Sequence, residues 1–264
     1  MDMERHLERH GPISYTTHDD AKDAWRWFRA TNGLSATDRP LFTAPTGNVK
    51  FNKTDAAVYG LALAPADSSG DNVCRFFSHE CRRNCVAYAG KGGMPQVQRV
   101  RVVRTKFLAT YPNEFATLIA HEIAGAVNKH GVNLRIRMNT FSDLRWERLW
   151  PELFERFAGV RFYDYTKWSV ADRQNLPANY RLTYSADERW ISKNITGHVA
   201  NGHNVAVVYN VKPSAPLPAH DMGLRVIDGD KSDDRFIDPV GVIVGLRAKG
   251  TLRNGQWRMV RTAS

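Results

Sequence analysis

The 264-residue sequence predicts an α/β fold, a partial (β/α)6 TIM-like barrel behind an N-terminal extension. Three observations lead there. Six short runs rich in Val, Ile and aromatics are bounded by polar or Gly/Pro residues, the signature of strands. Between several of them lie stretches with helical periodicity, and strands alternating with helices imply a parallel sheet with right-handed crossovers. No Gly-rich dinucleotide fingerprint follows the first strand, which favours a barrel-type sheet over a doubly wound one.

Residues 1–50 read as an irregular extension with one helix, and 51–264 as the barrel domain. In "HDDAKDAWRWFRATNG" the leading Asp residues and trailing Gly33 cap a helix near Asp19–Thr31. The Pro, Thr and Gly content of "SATDRPLFTAPTGNVKFNKT" marks a surface loop. The strands are "VYGLALA" (58–64), "NLRIRM" (133–138), "VRFYDY" (160–165), "YRLTYS" (180–185), "NVAVVYN" (204–210) and "GVIVGLRA" (241–248). Helices are expected in "QVQRVRVVRTKFLATY" and "NEFATLIAHEIAGAVNKH" after the first strand. "RWERLWPELFERFAG" should form another after the second, with Leu149, Leu153, Phe154 and Phe157 at helical spacing.

With 42% hydrophobic and 24% charged residues the composition is that of a globular protein, which excludes disordered and fibrous classes. No run approaches the roughly 20 apolar residues of a membrane span. The charged start "MDMERHLERHGP" lacks the apolar core of a secretory signal, so a cytoplasmic location is expected. A formal net charge of +10 points to a polyanionic partner, a nucleic acid or a nucleotide.

Polar residues cluster after the strands, where a barrel places its active site. The second strand leads into Asn139, Thr140, Ser142, Asp143 and Glu147. The third ends in Asp164, Tyr165, Thr166 and Lys167, and the fourth in Ser185, Asp187 and Glu188. Asp143, Asp164 and Lys167 are the candidate catalytic residues of this cup. The run "DGDKSDD" lacks the Gly and Glu positions of an EF-hand, so a solvated or substrate-gripping acidic loop is expected there. Arg99, Arg101, Arg104 and Lys106 on the helix after the first strand are the candidate nucleic-acid contacts, against the alternative of a solvated amphipathic face.

All three cysteines, Cys74, Cys81 and Cys85, lie in the loop 72–93 after the first strand, spaced C-x6-C-x3-C. An odd number of cysteines excludes a fully paired disulfide framework, and close spacing suits a metal site. Three thiolates can hold a [4Fe–4S] cluster with one iron left open. Adding His79 gives a Cys3His set that would suit zinc, and spacing alone leaves both readings open.

The stretch "LALAPADSSGDNVCRFFSHECRRNCVAYAGKGG", with "RMNTFSDLRWE", "FYDYTKW", "YRLTYSADE" and "VIDGDKSDDRFIDPVGVIVGLRAKG", resembles phage and plasmid proteins of the gene product 88 family. That family is in turn similar to a distant branch of the radical S-adenosylmethionine (SAM) enzymes. The resemblance covers roughly residues 50–250. It implies that Cys74, Cys81 and Cys85 are cluster ligands, that Tyr88 lies close by, and that Asn139, Ser142, Asp143 and Ser185 line a pocket for SAM or substrate. Radical SAM enzymes usually carry C-x3-C-x2-C, and their glycine-rich acidic motif after the second strand is replaced here by "NTFSD".

The resulting expectation is an iron–sulfur, radical-SAM-like phage enzyme that modifies a nucleic acid or nucleotide in the host cytoplasm. One alternative is a zinc-stabilised barrel glycosylase or transglycosylase acting on DNA or RNA through strand-end aspartates. The other is a non-enzymatic, metal-stabilised nucleic-acid-binding protein.

Overall fold

A computed structural model describes residues 1–45, 55–253 and 256–262. The C-terminal half of the surface loop expected over 35–54 lies outside the described residues. The extension carries two helices where one was expected, α1 (Met3–His10) and α2 (His18–Thr31). Asp2 and Thr17 cap them by accepting from the N–H groups of Arg5 and Asp20, both at 3.2 Å. The short α1 escaped periodicity because only Met3 and Leu7 of its apolar side are buried, beside the buried Glu4.

The strands are β1 (Phe42–Thr43), β2 (Ala57–Leu61), β3 (Leu134–Arg137), β4 (Arg161–Thr166), β5 (Tyr180–Ser185), β6 (Asn204–Tyr209), β7 (His220–Asp221), β8 (Leu224–Asp228), β9 (Ile243–Arg247) and β10 (Val260–Arg261). They form one sheet in the order β1-β2-β3-β4-β5-β6-β9-β8-β7, with β10 beside the end of β6. From β2 through to β8 every pairing is parallel, whereas β1 and β7 pair antiparallel at the edges. All six expected strands are present, as β2, β3, β4, β5, β6 and β9. The sheet is mixed and its path ends at β1 and β7 among the described residues, so the α/β class stands without a closed TIM barrel.

Helices follow β2 as α3 (His79–Arg83), α4 (Pro95–Thr110) and α5 (Pro112–His130), each of the last two opened by a proline at its first turn. The single helix expected after β3 is divided into α6 (Trp146–Leu149) and α7 (Pro151–Arg156). Pro151 disfavours helical geometry at Trp150 and has no N–H to continue the ladder. Between β4 and β5 there is only a short 3-10 turn at Ala171–Arg173, and α8 (Ser192–Ala200) joins β5 to β6.

Because β2 to β6 are added in sequence at one edge, right-handed crossovers place their helices on a single face. Register confirms the division of faces. Tyr59, Ile136, Phe162 and Tyr180 are lateral neighbours across four strands and pack with Phe107, Leu108, Phe115 and Ile119 of α4 and α5. Met3, Leu7, Trp25 and Phe28 join that same core, so the N-terminal helices are packed into it. Farther along the sheet, Val205, Val207 and Ile243 pack with Ile195 and Val199 of α8.

The opposite face is polar. Arg135 and Arg137 alternate with Leu134 and Ile136 and point away from the helices, in line with Val58 and Gly60. The loop between β8 and β9 neutralises them: Arg135 donates to Asp234 at 2.9 Å and Arg137 to Asp233 at 3.3 Å. Tyr163 donates its hydroxyl to Asp233 at 3.0 Å, and Arg181 donates to the Phe236 carbonyl at 2.7 Å. Asp228 and Asp230 pair with Arg247. The acidic run therefore supplies internal counter-charge, and its Asp233 and Asp234 are buried rather than solvated. Buried charges require such partners.

Candidate functional site at the C-terminal ends of the strands

The site begins where β2 ends. From Ala62 to Met94 the chain forms a loop over the C-terminal ends of β2, β3 and β5, tied down from several sides. At its start, Met3 N–H donates to the Asn72 carbonyl (3.0 Å) and Asp143 N–H to the Val73 carbonyl (2.8 Å). In its middle, Ser78 caps α3 by accepting from Cys81 N–H at 3.1 Å. Ser78 Oγ and Glu80 N–H both donate to the Glu188 carboxylate beyond β5. Glu80 in turn accepts from the backbone N–H groups of Arg258 and Met259. At its end, buried Arg101 donates to the carbonyls of Ala87 (2.7 Å) and Gly92 (3.1 Å). Gly92 has to be glycine here, because a Cβ would stand 2.5 Å from the Ala87 carbonyl oxygen.

This scaffold brings the three thiols into one electrostatic neighbourhood. All are free and half-buried. Burial pushes the Cys74 thiol well above its ordinary value, and the Asp143 carboxylate and the thiols of Cys85 and Cys81 add to the shift. Burial likewise raises Cys81, and pushes Cys85 up to about 11. Opposing this, a backbone N–H favours the thiolate at each sulfur: Ala66 at Cys74, Ser78 at Cys81 and Ala87 at Cys85. Lys167 acts in the same direction on Cys81 and Cys85, and Arg101 on Cys85. The Cys74 thiol donates to the Phe141 carbonyl at 3.4 Å. Arg101 lies over the ring of that same Phe141, 4.5 Å from its centroid.

Lys167, just past β4, joins the polar residues that follow β3 and β5. Its ammonium donates to the Ser185 carbonyl at 3.0 Å, stands 3.4 Å from Ser185 Oγ and is 3.3 Å from Asp187. Its backbone N–H donates to Asp143 at 2.7 Å. Burial pushes Asp187 up, but hydrogen bonds from Arg189 and the charge of Lys167 outweigh it and hold this carboxyl below its usual range. Asp143 is raised by burial despite Arg173, whose guanidinium lies 3.6 Å away. Lys167, Asp143 and Ser185, all anticipated from the sequence, therefore meet beside the cysteines.

Other anticipated residues lie elsewhere. Asp164 is two residues after Phe162 on the same strand, so it faces the helices; β4 runs on to Thr166. It is fully buried and accepts from Asn139 N–H (2.7 Å) and the Tyr180 hydroxyl (2.8 Å), and burial pushes it up to about 7. Asn139 Oδ1 accepts from Ser142 Oγ, Leu144 N–H and Trp146 Nε1, so Asn139 and Ser142 organise the loop after β3. Tyr88 and His79 line a surface cleft on the outer side of α3 with Arg82 and Arg83. Of the four basic residues on α4, Arg101 and Arg104 are buried and bind backbone carbonyls, Arg104 that of Ala62 at 2.8 Å. Arg99 donates to the Asn32 carbonyl, and Lys106 is exposed.

Sequence reasoning missed Arg173, whose fully buried side chain pairs with Glu147 at 2.8 Å and approaches Asp143. It also missed the structural use of Arg145, which donates to Glu4 and so ties α1 to the loop after β3. Neither carries a spacing signal, since both pair with acids brought near only by the fold.

A mononuclear metal draws its ligands to a common centre about 2.3 Å from each sulfur. Among the described residues no three His, Cys, Asp or Glu side chains form a group that could hold a metal ion. His79 is exposed on α3 and lines the cleft. Three cysteine sulfurs in one loop are the soft donor set that an iron–sulfur group takes, although burial raises all three thiols. No helix of the described residues is long and apolar enough to cross a membrane. No curated protein and no solved structure matches the chain. The profile of the family described as "Gene product 88" matches residues 20–262, nearly the whole sequence, and the chain belongs to that phage gene-product family.

Proposed function

We propose that this protein is an iron–sulfur enzyme of the radical-SAM-like kind, acting on a nucleic acid or nucleotide, with its reaction centre in the loop 72–93. One observation supports the reading: Cys74, Cys81 and Cys85 all lie in the loop over the C-terminal ends of the strands, where the Lys167 ammonium pairs with Asp187 and the Lys167 backbone N–H donates to Asp143. In parallel α/β sheets that end is where ligands bind.

When bound, a cluster held by three cysteines supplies an electron and one open iron to which SAM can attach. The chain's own residues supply the rest. The backbone at Ala66, Ser78 and Ala87 and the charges of Lys167 and Arg101 work against the burial that raises the three thiols. Ser185 and Asp187 orient the Lys167 ammonium. The Glu188 carboxylate holds α3, and so Cys81, against the end of β5. The net charge of +10 supports a polyanionic substrate.

The test is anaerobic reconstitution with iron and sulfide, followed by absorption and electron paramagnetic resonance spectra. The proposal expects a broad thiolate-to-iron charge-transfer absorption that is bleached by dithionite, absent from Cys81→Ala and retained by Asp164→Asn. A wild-type protein that takes up no sulfide would overturn it.

A further inference from the structure

The cleft on the outer side of α3 has no part in the chemistry above, and its lining carries a surplus of positive charge. It has a volume of about 350 Å³ and is walled by the turn from Pro65 to Ser68, by His79, Arg82 and Arg83 of α3, and by Tyr88. Asp67 is its single carboxylate and holds Arg82 through two contacts, at 2.9 and 3.1 Å. Among the described residues no carboxylate pairs with Arg83, whose guanidinium lies over the Trp257 ring at 5.6 Å. The opposite wall includes Ala66, a buried non-glycine residue at φ +51°. Such left-handed strain collects at binding sites, where the surrounding structure has to enforce it.

We propose that this cleft binds a nucleoside phosphate, with the phosphate between Arg83, Arg82 and His79 and the base against Tyr88. Guanidinium groups present several donors in a fixed fork that matches phosphate oxygens. A volume of about 350 Å³ is more than a bare phosphate fills and lies at the small end of ligand sites, which suits a mononucleotide. Tyr88 is 38% exposed and offers its ring for stacking. Both walls belong to cysteine-bearing segments: Ala66 accepts from Val73 N–H at 2.9 Å, next to Cys74, and α3 carries Cys81. A ligand seated here lies against the outer side of the reaction loop. The ligand is a free nucleotide or the terminal residue of a strand, and the phosphate chemistry is common to both. The proposal shares with the functional reading only its phosphate-bearing ligand, and it does not require a cluster.

The experiment is equilibrium titration of the full chain, with and without reconstituted iron, using adenosine 5′-monophosphate, adenosine, and a short 5′-phosphorylated single strand. Binding of the monophosphate and not of adenosine is expected, with inorganic phosphate competing. Arg83→Ala should weaken it at least about tenfold, since a hydrogen-bonded ionic contact is worth roughly 1.5–3 kcal/mol. Arg148→Ala, an exposed charge on α6, should leave it unchanged. A tighter monophosphate identifies the free nucleotide as the source, and a tighter strand identifies nucleic acid. Equal binding of adenosine, an unchanged affinity in Arg83→Ala, or the same loss in Arg148→Ala would overturn the site. Loss of iron with cleft binding intact would count against the cluster alone, and the converse against the cleft alone.

Discussion

Removing the Asp233 carboxylate should unseat the polar face of the sheet. Asp233 is buried and serves two groups, Arg137 at 3.3 Å and the Tyr163 hydroxyl at 3.0 Å. In Asp233→Ala the Arg137 guanidinium, 11% exposed, is left inside without its counter-charge. Breaking a buried pair from one side costs about 3–5 kcal/mol, and orphaning the tyrosine hydroxyl adds about 1 kcal/mol. Stacking of Arg137 on Tyr165, 4.9 Å away, offsets a fraction of this. A net loss of about 4 kcal/mol should lower the melting temperature by roughly 8–16 °C in a chain of this size. Asp233→Asn keeps an acceptor and should cost about half as much. The double variant Arg137→Met/Asp233→Leu should return to within about 1 kcal/mol of wild type, because apolar replacement of both partners removes the desolvation cost. Urea denaturation followed by circular dichroism measures all three. If Asp233→Ala costs less than about 1 kcal/mol, or the double variant is worse than the single, the acidic loop does not neutralise this face.

Three further outcomes follow from the same contacts. Metal-free folded protein should alkylate slowly with iodoacetamide at pH 7.5, because burial raises all three thiols, whereas denatured chain should react at the ordinary rate; mass spectrometry against time distinguishes them. Burial pushes Glu122 and Glu4 up to about 7, so the folded state holds protons that the unfolded state has already released at neutral pH. Their contribution is fully present below about pH 4.5 and is lost as the pH rises through about 7, so melting temperature should fall from pH 6 to pH 8, less steeply in Glu122→Gln. Arg173→Met should cost about 3–5 kcal/mol by leaving Glu147 and Asp143 buried without their cation, as read by chemical denaturation.

The parallel strands were legible because their Val, Ile and aromatic runs are compact and bounded by turn residues. The alternation in "NLRIRM" already put Arg135 and Arg137 on a face opposite Leu134 and Ile136, yet it gave no hint of which carboxylates would meet them nearly a hundred residues later. Strand β8 was missed because it is five residues long with one buried side chain. In the site, the cysteines and Lys167 were legible from their place after strands. Asp164 looked equivalent to Asp143, and parity separates them: Asp164 lies within β4 on the helix side, whereas Asp143 lies in a loop free to turn toward Cys74. Arg173 and Arg145 were illegible because a lone arginine in a loop reads as solvated until the fold supplies its acid.

The most direct measurement is the iron, zinc and acid-labile sulfide content of protein purified without oxygen, for the wild type and for Cys74→Ala, Cys81→Ala and Cys85→Ala. About four irons and four sulfides per chain, lost in each variant, is the predicted result. One zinc without sulfide, or no metal at all in a folded protein, would contradict the claim that the loop 72–93 is a cluster site.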